Sequence, residues 1–153
     1  MVEIVESPYK NSRGEFVKHL VIDDVIWMSS GDDEYEDIER ALKTANGDCL
    51  ILGLGLGLIV QECEKLNCVN SILVYEISHE VIGLHSFGPK VTIKQADATK
   101  INELTKFDWI YFDIWLDPDL EAMQQCFDNA QSLLKPDGVV ECWLKPRLIN
   151  GSK

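Results

Sequence analysis

The sequence predicts an α/β fold: a parallel sheet with helices on both faces, preceded by a β-hairpin. Three observations predict it. From about residue 31 onward, apolar runs that read as strands alternate with segments of helical spacing. The first run, Cys49-Leu50-Ile51-Leu52, is broken by glycine at every second position, Gly53-Leu54-Gly55-Leu56-Gly57, and leads into a helical pattern. Three later apolar runs end on or just before an acid, at Glu76, Asp97 and Asp113.

The elements follow in order. Val2 to Val5 alternate weakly and read as a short strand, and residues 7–14 as a turn-rich break. Phe16 to Ile22 and Val25 to Met28 flank Asp23-Asp24, a gap that suits a two-residue hairpin turn. This hairpin has the plain reading of structure, with an oligomer contact as a second role. Acids crowd the first turn of a helix opening near Asp32, where its dipole favours them. Tyr35, Ile38, Leu42 and Ala45 form its inward stripe, and Asn46-Gly47 is its expected end. After the glycine bend, Ile59, Cys63 and Leu66 give the next helix a buried face. Ser71 to Glu76 is the second core strand, and Ser78 the N-cap of a short helix ending near His85.

Val91 to Gln95 is the third core strand, and Ala98 to Lys106 is expected to be one short helix. The fourth strand runs from about Asp108 to Phe112. Asp117-Pro118 opens the longest helix as N-cap and first helical residue, with Leu120, Met123, Phe127, Ala130 and Leu134 as its core stripe. Lys135 to Gly138 reads as a turn and Val139 to Leu144 as the fifth strand. Residues 1–153 therefore form a single domain: a β element over 1–30, an α/β core over 31–146 and a tail over 147–153.

Composition narrows the function. The chain has 153 residues, with 26 acids against 14 bases, for a formal net charge of −12. That balance argues against a nucleic-acid partner, which needs a basic face. It suits a cationic small molecule and equally suits simple solubility. No run approaches a membrane span, and the first residues are acidic where a signal peptide would be basic, so no membrane partner and a cytoplasmic location are expected. The five cysteines lack C-x-x-C spacing, and four of them sit in apolar patterns, as free thiols do in a reducing compartment. His19, His79 and His85 have no ligand spacing, so no metal is expected.

The glycine bend is the chemical signal. Glycine admits backbone angles that a side chain forbids and lets the backbone approach a ligand closely. Strand, glycine turn and helix together open a nucleotide-binding βαβ unit. The spacing is G-x-G-x-G, which fits neither the dinucleotide fingerprint nor the P-loop. Glu76 follows Gly57 by 19 residues (76 − 57), at a strand end, where a carboxylate can accept both hydroxyls of a ribose. Alone, such a bend is as often a tight turn. With acids at three successive strand ends, the turn reading weakens.

Over residues 16–144 this order of glycine bend, Glu76, Asp97 and Asp113 resembles the class I S-adenosylmethionine-dependent methyltransferases, and most closely the spermidine synthase branch. The resemblance implies a Rossmann-like sheet of order 3-2-1-4-5 with the ligand outside its carboxyl edge. It implies that Gly53, Leu54, Gly55 and Gly57 line the methionine and ribose of the donor, and that Glu76, with Ile77 beside it, holds the ribose. Asp97 and Ala98 would lie by the adenine. Asp113, counted among the donor-binding residues, would open the loop after the fourth strand, face the acceptor and serve as the carboxylate that helps accept a proton from it. The donor implied is S-adenosylmethionine or its decarboxylated form, with no metal and a small-molecule acceptor.

Particular residues match the branch unevenly. Ile51 stands where many methyltransferases carry an acid, and spermidine synthases also have an aliphatic residue there. Asp33-Glu34-Tyr35 resembles the opening of the branch's first helix, but Asp37 replaces its next tyrosine. Asp113 to Asp117 carries one residue more than the family's D-x-x-D-P, and Trp115 stands where a small polar residue is usual. The family's sixth and seventh strands are not expected, so the fifth strand would present an open edge, to be covered by the tail or by a second subunit in a homo-oligomer. Three functions remain open: methyl transfer to a small acceptor, aminopropyl transfer of the spermidine synthase type, and a shortened non-catalytic nucleoside-binding or partner protein.

Overall fold

The computed structural model describes residues 1–112 and 120–142. Two sheets organise them. The first is an antiparallel meander of β1 (Val2–Lys10), β2 (Phe16–Ile22) and β3 (Val25–Ser29). Its β2–β3 turn is Asp23-Asp24, with φ of 49° and 65°. Both residues thus take the left-handed conformation, in which short polar residues are the best tolerated after glycine. The expected break over residues 7–14 is a correction: the strand continues through Pro8 to Lys10, with an irregularity between Glu6 and Lys10. Pro8 is compatible with it because β1 is an edge strand and its missing N–H breaks no inner ladder.

The second sheet has five strands in the order β6-β5-β4-β7-β8: Val91–Gln95, Val69–Glu76, Gly47–Leu52, Phe107–Phe112 and Leu134–Cys142. Every neighbouring pair is parallel. β4 is central, and the chain builds outward from it first toward β6 and then toward β8. The crevice beside such a reversal is where ligands sit in open α/β sheets.

Alternation along β4 splits the core in two. Cys49 and Ile51 face one side, packed with Ile38 and Ala41 of α1 (Asp32–Leu42), Ile59 and Cys63 of α2 (Leu58–Glu64), and Val81 of α3 (His79–Gly83). Leu50 and Leu52 face the other side with Ile110, Phe112, and Cys126 and Ala130 of α4 (Leu120–Gln131). All four β4 side chains are completely buried, as expected of a strand covered on both faces.

Several boundaries differ from expectation. α1 ends at Leu42 with Lys43 as its cap, and Gly47 instead starts β4 at φ 62°. Residues 98–106 form turns and irregular chain, not a helix. The Asp97 carboxylate accepts from both the Thr99 N–H (2.9 Å) and its hydroxyl (2.6 Å), and the Asp97 carbonyl accepts from the Lys100 N–H, so a single turn forms after β6 and is not continued. Residues 135–138 are not a free turn but a bulge inside β8. Asp137 has φ 66°, and the register jumps from Phe107↔Leu134 to Trp109↔Val139. Leu134 accordingly belongs to β8, not to the helix stripe. β8, the outermost of the described strands on its side of the sheet, is tied to α1 by Arg40, which donates to Glu141 Oε2 and to the Cys142 carbonyl, both at 2.8 Å.

The candidate nucleoside cleft

A cavity of about 420 Å³ opens at the carboxyl ends of β4, β5 and β6, and the meander forms its opposite wall. Gly53, Leu54 and Gly55 line it from β4, Glu76 and Ile77 from β5, and Asp97 and Ala98 from β6. Topology alone places three consecutive strand ends side by side here.

The glycine bend is built from left-handed backbone: φ is 98° at Gly53, 51° at Gly55 and 73° at Gly57. Side chains are disfavoured there on conformational grounds alone. The Gly53 N–H donates to the Tyr75 carbonyl and the Gly57 N–H to the Leu54 carbonyl, both at 2.8 Å, so the bend is locked to β5 and to itself. Its Gly55 carbonyl accepts from His85 Nε2 at 2.7 Å, which fixes the proton on that nitrogen. His85 stacks on Phe87, and a Cβ at Gly57 would meet the Phe87 ring at 2.9 Å and His85 Nδ1 at 3.1 Å. Gly57 therefore serves packing: it lies beneath these rings and is not among the cavity's lining.

Glu76 reaches back over the bend. Its Oε1 accepts from the Leu54 N–H and its Oε2 from the Ser78 N–H, each at 3.0 Å. Two backbone amides thus fix the carboxylate at the cavity wall. Each oxygen keeps a further lone pair with which to accept a ligand hydroxyl. Ser78 also caps α3, its hydroxyl accepting from Val81 N–H. Asp97, hydrogen-bonded by the Thr99 hydroxyl and amide, is held below the usual carboxylate range. Glu76 and Asp97 are the charged side chains of the lining, and no Lys, Arg or His joins them among the described residues. The remaining wall is largely apolar, with Leu20, Ile22, Trp27, Tyr75 and Val81. A slot with apolar walls and an acceptor carboxylate fixed in its floor is suited to a flat heterocycle carrying a diol.

Sequence reasoning grouped Gly53, Leu54, Gly55, Glu76, Ile77, Asp97 and Ala98, and the fold brings all seven to this cavity. Asp113 and Trp115 lie outside the described residues. The meander's contribution was missed. Trp27 and Met28 of β3 line the cavity, yet their strand reads simply as half of a hairpin. The one available signal was a tryptophan in an otherwise small element; Trp27 remains 42% exposed. His85, seen only as an isolated histidine, turned out to buttress the bend. Among the described residues, no group of three His, Cys, Asp or Glu side chains is placed to hold a metal ion. Nor is any described helix long and apolar enough to cross a membrane.

No protein-family model matches the chain, and no curated protein matches it. Solved structures do. Spermidine synthase from Thermotoga maritima superposes with a TM-score of 0.63 at 22% identity, over 92% of this chain and 52% of that one. DhpI, solved as a complex with SAH, gives 0.56 at 24% identity, over 72% of this chain and 55% of that one. The N-methyltransferase NodS from Bradyrhizobium japonicum gives 0.55 at 17% identity, over 71% of this chain and 64% of that one. This chain thus spans roughly half to two thirds of each of these proteins. At such identities the likeness is one of fold. The α/β core has the fold of these S-adenosylmethionine-related enzymes' solved structures, spermidine synthase, DhpI and NodS.

Proposed function

We propose that the cleft binds an S-adenosyl sulfonium nucleoside and that the protein is a transferase acting on a small acceptor. The observation that carries this reading is the position of Glu76. Its carboxylate is fixed between the Leu54 and Ser78 amides at the cavity wall, with acceptor capacity left for two sugar hydroxyls. Asp97 and Ala98, one strand further out, fit the base, and Gly53 to Gly55, one strand inward, fit the 5′ substituent. Structural neighbours solved with such nucleosides support the same ligand class: NodS with S-adenosylhomocysteine, and DhpI with SAM.

Such a donor supplies an alkyl group already activated for transfer. What this chain contributes is orientation and the exclusion of water. Glu76 fixes the sugar, the apolar wall of Leu20, Ile22 and Trp27 screens the cleft, and Asp113 is proposed as the acid that takes the acceptor's proton. The group transferred is proposed to be methyl. A second reading, aminopropyl transfer from the decarboxylated donor, is favoured by the lack of any cationic side chain in the described lining to pair a donor carboxylate. We also propose that the β8 edge pairs with a second copy of the chain in a cytoplasmic homo-oligomer.

Calorimetric titration with S-adenosylmethionine, its decarboxylated form, methylthioadenosine and NAD tests the reading. Tighter binding of the carboxylate-bearing donor supports methyl transfer. Tighter binding of the decarboxylated one supports aminopropyl transfer. Binding of NAD alone, or of none of them, refutes a sulfonium-nucleoside site.

A further inference from the structure

A second cavity, of about 380 Å³, lies under the meander where it faces α2 and the end of α3. Small-molecule pockets run from about 300 to 1,000 Å³, and this one falls among them. It shares no lining residue with the nucleoside cleft. At the bend, Gly55 lines the cleft and Leu56 lines this cavity, and Met28 packs on both. The Met28 Sδ accepts from the Leu56 N–H at 3.3 Å, and a Cβ at Gly55 would lie 2.7 Å from the same sulfur.

Strand alternation brings charge into this cavity. Val2↔Ile22, Ile4↔Leu20 and Glu6↔Lys18 are cross-strand pairs on one face of β1 and β2. Leu20 belongs to the buried core, so this face points inward. Its first two pairs are apolar, as packing requires. The third sets a carboxylate beside an ammonium, and both line the cavity. Glu6 and Lys18 are not ion-paired with each other, and neither side chain takes another charged partner among the described residues. Charges on an outward face are ordinary; opposite charges left unpaired on an inward face are the informative departure.

The rest of the lining completes a pattern. Gln61 and the buried Ser30 add neutral donors. Ser30 Oγ accepts from the Lys18 N–H at 2.8 Å, which leaves its O–H to donate. Glu15, 3.4 Å from Arg13 Nε, and His85 add acceptors. With its Nε2–H given to the Gly55 carbonyl, the His85 ring keeps Nδ1 as an acceptor. Leu56, Leu58 and Leu84 supply apolar surface. A small molecule with one positive group, one negative group and an apolar side chain satisfies all three kinds of surface. A simple amine leaves Lys18 unpaired, and a simple carboxylate leaves Glu6 unpaired.

We infer that this cavity binds a free α-amino acid with an apolar side chain, its carboxylate toward Lys18 and its ammonium toward Glu6. The site is separate from the cleft, so the inference does not rest on the nucleoside reading or on which group is transferred.

The test is NMR titration of the isotope-labelled full chain with L-leucine and two analogues: isopentylamine, which lacks the carboxylate, and isocaproate, which lacks the ammonium. L-leucine is expected to bind with a Kd of about 1 mM or tighter, shifting the amides of Leu56, Gln61 and His85. Each analogue is expected to bind at least about tenfold more weakly. Lys18→Met should weaken L-leucine at least about tenfold while leaving isopentylamine within about twofold of wild type. Glu6→Gln should weaken L-leucine equally and spare isocaproate. Both side chains are exposed, and an unchanged urea midpoint checks that each variant folds. Should a variant fail to fold, the three ligands compared on the wild type decide alone. No shift with L-leucine, equal binding of the three ligands, or shifts confined to Gly53, Glu76 and Asp97 overturns the inference. So does equal loss of all three ligands in both folded variants.

Discussion

Replacing Glu76 by glutamine separates what this carboxylate does for the fold from what it does for a ligand. In the wild type both oxygens accept backbone N–H groups at 3.0 Å, one from Leu54 in the bend and one from Ser78 at the cap of α3. A glutamine of the same shape keeps one carbonyl oxygen for one of these donors. Its NH₂ then confronts the other N–H, donor against donor. A hydrogen bond to a charged group is worth about 1.5–3 kcal/mol, and a neutral one about 1 kcal/mol. One charge-assisted bond is lost and the other weakened. Glu76 is only half-buried, and water recovers part of the loss. The expected destabilisation is therefore about 2 kcal/mol. Urea denaturation reads it as a lower midpoint at unchanged slope. Methylthioadenosine affinity should fall further, by about thirtyfold or more, because the acceptors for two sugar hydroxyls are reduced to one side of an amide. A variant within about 0.5 kcal/mol of wild type in stability would refute the role assigned to the two amides. A normal stability loss with unchanged affinity would refute the sugar contact alone.

Three further expectations concern the scaffold. Gly47→Ala should destabilise the protein by about 2–4 kcal/mol in urea titrations, through overpacking and left-handed strain. Its Cβ would overlap Asp108 Oδ2, an oxygen that already accepts from the Asp48 N–H and from Lys135. Thiol titration of the folded protein should show a single fast cysteine, Cys68, abolished by Cys68→Ser, because the other four are buried. Burial pushes the Cys126 thiol up to about 11, and the Cys49 thiol is raised by its own hydrogen bond with Cys63 and then by burial. Hydrogen bonds from Lys94 and then Tyr75 hold Glu103 below the usual carboxylate range. A depressed carboxylate contributes its full stability above its unfolded value, about 4.3, and loses it as pH falls through the lower folded value. Wild-type stability should therefore drop more steeply below about pH 4.3 than that of Glu103→Gln, as measured by urea midpoints against pH.

The central strands β4 and β7 were legible because each buries both faces over Cys49–Leu52 and Trp109–Phe112, so its sequence there is a continuous apolar run whatever its neighbours are. The grouping of the candidate residues around one cavity was legible for a related reason. In a parallel sheet all the carboxyl ends share one edge, so Gly53 to Gly55, Glu76 and Asp97 meet by topology, without any long-range contact being foreseen. Where local chemistry competes with pattern, the reading failed. Residues 98–106 turn once after Asp97 and then run as irregular chain, where the pattern reads as a helix. Residues 135–138 have turn composition, yet the ladder to β7 resumes beyond them and absorbs them as a bulge. Gly57 matched the motif's spacing but answers to the rings of Phe87 and His85.

Taken alone, the sequence determined the alternation of strands and helices, the glycine bend and the acids at successive strand ends. These depend on short-range periodicity and backbone freedom, which are written locally. Only the tertiary structure decided that the N-terminal meander folds over the cleft and that Met28 rests on Gly55. That contact joins residues 27 positions apart (55 − 28) across two separate sheets. Its existence depends on how the sheets dock, and docking is a sum over many side-chain contacts that no single stretch of sequence displays.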